Sequence, residues 1–275
     1  MGAVVGVTDI ETEDAIIEVK HTRRDADVEE EARQVAVYGA LSGKQAILYR
    51  TRQGTAYRVH PPGKAWMRCM CRASLGFKQA QYKRGQIEKR RDLSAWSPVV
   101  VSVDIEYTPD SFMPDLLEIG AVAFRRDTGV PVDVFHGINR SVRTLKATPD
   151  GAHPSQAEYY GFCSQSIEDN RSAIQQDGQR MRADFHAWLA KMPGADILQF
   201  GGNDAEMLQI SGRTMQCGWK LFRTWLGTVH SGSSRVIHTS LTDAVHQLFG
   251  ERVFVPHRAY EDAVACAMLV YALSL

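Results

Sequence analysis

The chain contains no apolar run of the ~18 residues that a membrane-spanning helix requires, so none is expected. Cysteine is scarce and odd in number: Cys69, Cys71, Cys163, Cys217 and Cys266, with no CxxC pair among them. That pattern excludes a disulfide framework and places the chain in a reduced intracellular compartment, cytoplasmic or nuclear, not secreted. Cys69-Met70-Cys71 with His60 is only half of a zinc-binding pattern. The opening MGAVVGVTD lacks the basic lead of a signal peptide, and position 6 lacks the Ser or Thr of a myristoylation site. Internal repeats, low-complexity tracts and a phosphate-cradling glycine loop are all missing. Net charge is missing too: 32 basic residues balance 32 acidic ones.

What remains is the composition of compact domains, 44% hydrophobic and 23% charged, with a length that suits one large domain or two ordinary ones. Within it, the run VVVSVDIEY over residues 99–107 predicts a buried strand, being mostly Val and Ile and preceded by Ser97-Pro98. Alternation along a strand points Asp104 and Glu106 to the same face. Two carboxylates this close in an apolar strand repel each other and lose hydration unless a cation compensates them. Hard oxygen ligands suit Mg²⁺ or Mn²⁺. The plain alternative is a strand end that reaches solvent.

Further acids follow in order. Asp204 comes after the strand-like ADILQF and a Gly-Gly turn, and opens the helical pattern DAEMLQI. A carboxylate at that junction is favoured by the positive end of a helix. The C-terminal pattern HRAYEDAVACAMLVYAL carries His257 and Asp262 five residues apart, about 140° round a helix. They can share a site only if His257 sits in the approach to that helix, which Pro256 favours.

The order Asp104-x-Glu106, Asp204, His257-x-Ala259-x-x-Asp262 resembles the DEDDh family of 3′–5′ exonucleases on a ribonuclease-H-like fold. The stretch Asp115–Val122, with its EIGAV run, resembles the second strand of that fold. The resemblance covers about residues 97–275. Tyr107 stands where the family usually has threonine, and Gly-Gly-Asn-Asp replaces the commoner Asn-x-x-Phe-Asp. It implies metal-dependent 3′–5′ hydrolysis of single-stranded DNA or RNA ends. Asp104, Glu106 and Asp262 would hold one Mg²⁺ or Mn²⁺, with Asp104 bridging to a second ion that Asp204 anchors through water. Two such ions ~3.5–4 Å apart clamp the attacking and leaving oxygens. His257 would take the proton from the attacking water, its ordinary pKa of about 6.5 suiting that task. Glu206 and Glu261 read as solvated helix residues and Glu118 as part of its strand run. His136, His153, His186, His230, His238 and His246 share no spacing and read as surface or core histidines.

Strands are predicted at Ala3–Ile10, Ala15–His21 and Gln45–Arg50, with a helix over residues 28–41 before the last. Asp9, Glu18-Val19-Lys20 and Gln34-x-x-x-Tyr38 resemble the core of the PD-(D/E)XK nucleases, particularly the RecB-like branch. The resemblance implies Asp9 and Glu18 sharing a metal, Lys20 orienting water and Gln34 completing a second site. The family's leading helix has no counterpart ahead of the first strand. An exposed hairpin, or a degenerate docking module, would show the same pattern.

Between these parts, Lys64, Arg68, Arg72, Lys78, Lys83, Arg84, Lys89, Arg90 and Arg91 stand against Glu88 alone, interleaved with Trp66, Phe77 and Tyr82. Such a tract can track phosphates and stack bases, or serve as a basic connector whose aromatics pack on either domain. It predicts one or two helices, with Gly76 and Gly85 as breaks.

The resulting expectation is an α/β chain. A partial PD-(D/E)XK-like module spans residues 1–60, a basic linker 61–97, and a ribonuclease-H-like exonuclease domain 98–275. Two alternatives stay open: a non-catalytic nucleic-acid-binding or assembly protein on a nuclease scaffold, and a dual nuclease with an active N-terminal endonuclease module. No protein partner is indicated.

Overall fold

The computed structural model of the chain describes residues 10–11, 15–20, 45–50, 55–59, 64–107, 115–141, 164–229, 240–250 and 258–275. It divides into two compact units, Met1–Cys71 and Arg72–Leu275.

The smaller unit holds a four-stranded sheet in the order β1-β2-β3-β4. Its strands are β1 (Ile10–Glu11), β2 (Ala15–Lys20), β3 (Gln45–Arg50) and β4 (Thr55–Val59). β2 and β3 run parallel, with Glu18 opposite Leu48 and Lys20 opposite Arg50; the outer pairs are antiparallel. Parallel neighbours require a crossover connection rather than a tight hairpin. Of the strand predicted at Ala3–Ile10 only the last residue is described, and the helix predicted over 28–41 lies outside the described residues. β4 was not foreseen. Its short TAYRV pattern gains definition from pairing with β3, Leu48 opposite Tyr57.

The larger unit is built on a five-stranded mixed sheet flanked by helices, the α/β architecture that the resemblance implied. Its order is β7-β6-β5-β8-β9, with β5 (Val99–Tyr107) in the centre. β6 (Leu116–Arg125) and β7 (Pro131–Ile138) extend it antiparallel on one side. β8 (Asp196–Gln199) and β9 (Met215–Cys217) extend it parallel on the other.

The two faces of this sheet differ in kind. Val101, Val103 and Ile105 of β5, with Ile119, Ala121 and Ala123 of β6, point into an apolar core with Met181, Phe185 and Trp188. Those last three belong to α2 (Ser164–Leu189) and recur at helical spacing, so one side of α2 is apolar. The opposite face carries Val100, Ser102, Asp104 and Glu106, paired in register with Phe124, Val122, Gly120 and Glu118. α6 (Ala259–Leu273) belongs with this sheet and is buried almost along its whole length. Small residues at Ala259, Ala263 and Ala267 let it lie close to its neighbours.

The basic tract meets the expectation of a helix that stops before Gly85 but not that of a break at Gly76. It forms one helix, α1 (Lys64–Arg84), within which the division between the two units falls. Gly76 is no break but an interior position, where an added Cβ would meet the Met268 sulfur at 2.5 Å. Close helix approach here outweighs the weak helix propensity of glycine. Ala73, Gly76, Phe77 and Ala80 form a buried stripe, with Phe77 5.0 Å from the Phe124 ring. Arg84 lies 4.7 Å over the Tyr271 ring and donates from Nε to the Ser274 carbonyl at 3.1 Å. No helix among the described residues is long and apolar enough to cross a membrane.

Candidate active site

The site lies on the α6-side face of the large sheet, at the end where β5 turns polar. Asp104 and Glu106 project from β5 by alternation, as the sequence predicts. Asp262 arrives from the first turn of α6, its amide donating to the Arg258 carbonyl at 2.8 Å. Ligand oxygens of Asp104, Glu106 and Asp262 all lie within 4.8 Å of one another. Residues more than 150 positions apart in sequence therefore form one carboxylate cluster.

A glycine makes that meeting possible. Gly120 pairs with Asp104 across β5 and β6, and the space beside it is filled by the α6 backbone at Ala259 and Tyr260. Any Cβ at Gly120 would overlap those main-chain atoms. The start of α6 can approach the sheet only because this residue has no side chain.

Charge in this cluster is held uneasily. Burial first, then the neighbouring charges of Asp262, Asp204, Glu106 and Glu118, pushes Asp104 well above the ordinary carboxylate range. Glu106 is only 9% exposed. Asp204 stands outside the group of three, yet near enough for its charge to act on Asp104. Burial raises Asp204 itself to about 6. It is the first residue of α3 (Asp204–Met207), a four-residue helix much shorter than DAEMLQI predicts. Leu208 caps α3 and Gln209 takes a left-handed φ of 58°, which ends the helix there. Gln199 closes the junction, accepting from the Ala205 amide at 3.1 Å and donating to the Gly202 carbonyl at 2.8 Å.

Three buried or part-buried acids whose ligand oxygens lie this close form a donor set suited to a hard divalent ion such as Mg²⁺ or Mn²⁺. His257, expected as the general base, lies outside the described residues. α6 begins at Ala259 with Arg258 as its N-cap.

Two residues that sequence reasoning set aside belong to this neighbourhood. Glu118 is fully buried on β6, directly opposite Glu106. His136 Nε2 lies 2.7 Å from its Oε1, and Arg258 Nε lies 4.0 Å from its Oε2. The available signal was a lone glutamate in the otherwise apolar run LLEIGAVAF, since an acid is rarely buried unless partnered. Glu261, expected to be solvated, is instead largely buried and pairs with Arg72 at 2.6 Å, because α1 runs beside the start of α6. His186 is a structural histidine whose Nε2 lies 2.8 Å from the Leu208 carbonyl oxygen.

In the smaller unit, Glu18 and Lys20 both lie on β2, two positions apart. Asp9 and Gln34, the other residues of the second predicted site, lie outside the described residues.

No protein-family model matches the chain, and no curated protein does. Among solved structures it is similar to a full-length 3′-exonuclease, at 15% identity and a TM-score of 0.39, over 67% of this chain and 62% of that one. The chain thus spans 62% of the length of that protein. It is also similar to a 3′-exonuclease in 3′-end-specific recognition of a histone mRNA stem-loop, at 15% identity and a TM-score of 0.39, over 64% and 81% of the two chains. A third is the nuclease domain of 3′hExo, a DEDDh family member, bound to rAMP, at 15% identity and a TM-score of 0.39, over 66% and 92%.

Proposed function

We propose that the larger unit is a metal-dependent 3′–5′ exonuclease that releases nucleotides from single-stranded DNA or RNA ends. The observation that carries this reading is the meeting of Asp104, Glu106 and Asp262 within 4.8 Å on a buried sheet face. Like charges so placed are unfavourable alone and are offset by a divalent cation.

Asp104, Glu106 and Asp262 would hold one Mg²⁺ or Mn²⁺, with Asp104 shared and Asp204 serving a second. The bound ions supply counter-charge to the phosphate and make water a stronger nucleophile near neutral pH. Asp204, poised at about 6, is ionised at neutral pH and ready for that role. His257 would accept the proton from the attacking water. The exposed side of the basic tract supports strand binding: Tyr82 is 70% exposed, and Lys78 and Lys89 also face solvent. An aromatic with neighbouring cations there can stack a base and meet its phosphates.

The test is degradation of 5′-labelled single-stranded DNA and RNA with Mg²⁺ or Mn²⁺, beside closed circles. Wild type is run with Asp104→Asn and Glu18→Ala. A ladder of shortened labelled products, lost in Asp104→Asn and kept in Glu18→Ala, supports the reading. Cleavage of circles that Glu18→Ala abolishes assigns an endonuclease to the smaller unit, through Asp9, Glu18, Lys20 and Gln34. Metal-independent binding without any shortening leaves a nucleic-acid-binding protein on a nuclease scaffold.

A further inference from the structure

Glu118 is a buried acid that the metal site does not consume. It stands outside the group formed by Asp104, Glu106 and Asp262, although β-pairing sets it directly opposite Glu106. Its charge makes Asp104 harder to ionise. Replacing a buried ion pair by apolar residues is often neutral or stabilising, so its presence is not explained by stability.

Its partners give a better account. One oxygen is 2.7 Å from His136 Nε2, and the other is 4.0 Å from Arg258 Nε. Both partners lead to the same place. Arg258 is the N-cap of α6, and its carbonyl accepts the Asp262 amide at 2.8 Å. His136 sets its ring 5.4 Å from that of Tyr260, the second residue of α6. Side chains at the first turn of α6 and on β7 thus converge on one carboxylate of β6, His136 at hydrogen-bond distance and Arg258 Nε at ion-pair distance.

We propose that Glu118 is a positioning residue, which through Arg258 and His136 holds the first turn of α6 where Asp262 reaches Asp104 and Glu106. This deepens the metal-dependent reading above and rests on it. Glu118 acts behind the ligands, orienting one of them rather than touching the ion.

The experiment measures Mn²⁺ affinity of the full chain by the electron-spin resonance of free Mn²⁺. Wild type is compared with Glu118→Gln, Arg258→Gln and the double variant, with circular dichroism to check folding. Glu118→Gln keeps the shape and the link to His136 but loses the charge that draws Arg258. Each single variant is expected to bind Mn²⁺ about 10–100-fold more weakly, the range for residues that orient a ligand. The double variant is expected to be no weaker than the worse single one, because both changes break the same link. A purely electrostatic role gives the opposite sign for Arg258→Gln: removing a cation beside an acidic site tightens Mn²⁺. Tighter binding there, additive losses in the double variant, or unchanged affinity in folded Glu118→Gln would each overturn the proposal. Wild type that binds no Mn²⁺ overturns this proposal together with the metal reading. Wild type that binds Mn²⁺ but shortens no substrate overturns the exonuclease reading alone, and the variant affinities still decide the role of Glu118.

Discussion

Gly120 of β6 is paired with Asp104 of β5, and the backbone of α6 occupies the volume that a side chain at Gly120 would need. The sheet residue facing the central acid is thus the one that admits the helix bearing Asp262. Gly120→Ala should push α6 away from the sheet and lower both stability and activity. Overpacking of this kind costs about 1–3 kcal/mol, or a fall in Tm of roughly 2–4 °C for each kcal/mol. Thermal melts and end-trimming assays on the purified variant check it. An unchanged Tm with full activity would mean that α6 does not rest here.

Asp104→Asn should separate function from stability. Asp104 is strained by burial and by four neighbouring acids, so neutralising it relieves repulsion in the metal-free protein and should raise Tm. Activity should fall by more than the about 10–100-fold expected of a residue behind the ligands. Melting curves in chelator, paired with single-turnover assays in Mn²⁺, read both. A lower Tm in chelator would contradict the repulsion described here.

Stability should depend on pH with a defined sign. Asp204 rises from 3.8 to about 6 on folding, chiefly through burial. A group whose folded pKa lies above its unfolded one favours the folded state below the unfolded value, and that contribution is lost as pH rises through the folded one. For Asp204 the loss is on the order of 3 kcal/mol, falling between pH 3.8 and about 6, and Asp104 acts in the same direction. Metal-free protein should therefore melt lower at pH 7 than at pH 5. Mn²⁺ should raise Tm strongly at pH 7 and only weakly near pH 4. Scanning fluorimetry across that range, with and without Mn²⁺, tests this; a Tm gain independent of pH would contradict it.

A change remote from the acids should behave differently. Ser240 caps α5 (Leu241–Phe249), the helix after α4 (Gly218–Val229), in a reciprocal capping box, its Oγ accepting the Asp243 amide at 3.1 Å. Ser240→Ala should cost about 0.5–2 kcal/mol and leave Mn²⁺ affinity unchanged. Chemical denaturation and metal titration on the same preparation test both halves. A change in metal affinity would tie α5 to the site.

The chain alone was enough to place the two acids of β5 on one face, because alternation is a local property of an extended backbone. It was likewise enough to bound β5 at Val99–Tyr107, where an apolar run follows a Ser-Pro break. The acidic residue types pointed to a hard cation by their chemistry, without reference to the fold. What the chain could not reveal was contact. Gly76 reads as a helix break until Met268 is found against it, and Glu118 reads as a strand residue until pairing sets it opposite Glu106. Asp262 joins Asp104 only because a helix at the far end of the chain settles over a glycine. Strand register and helix approach are set by packing between distant segments, and local propensity, which extends over a few residues, carries no record of them.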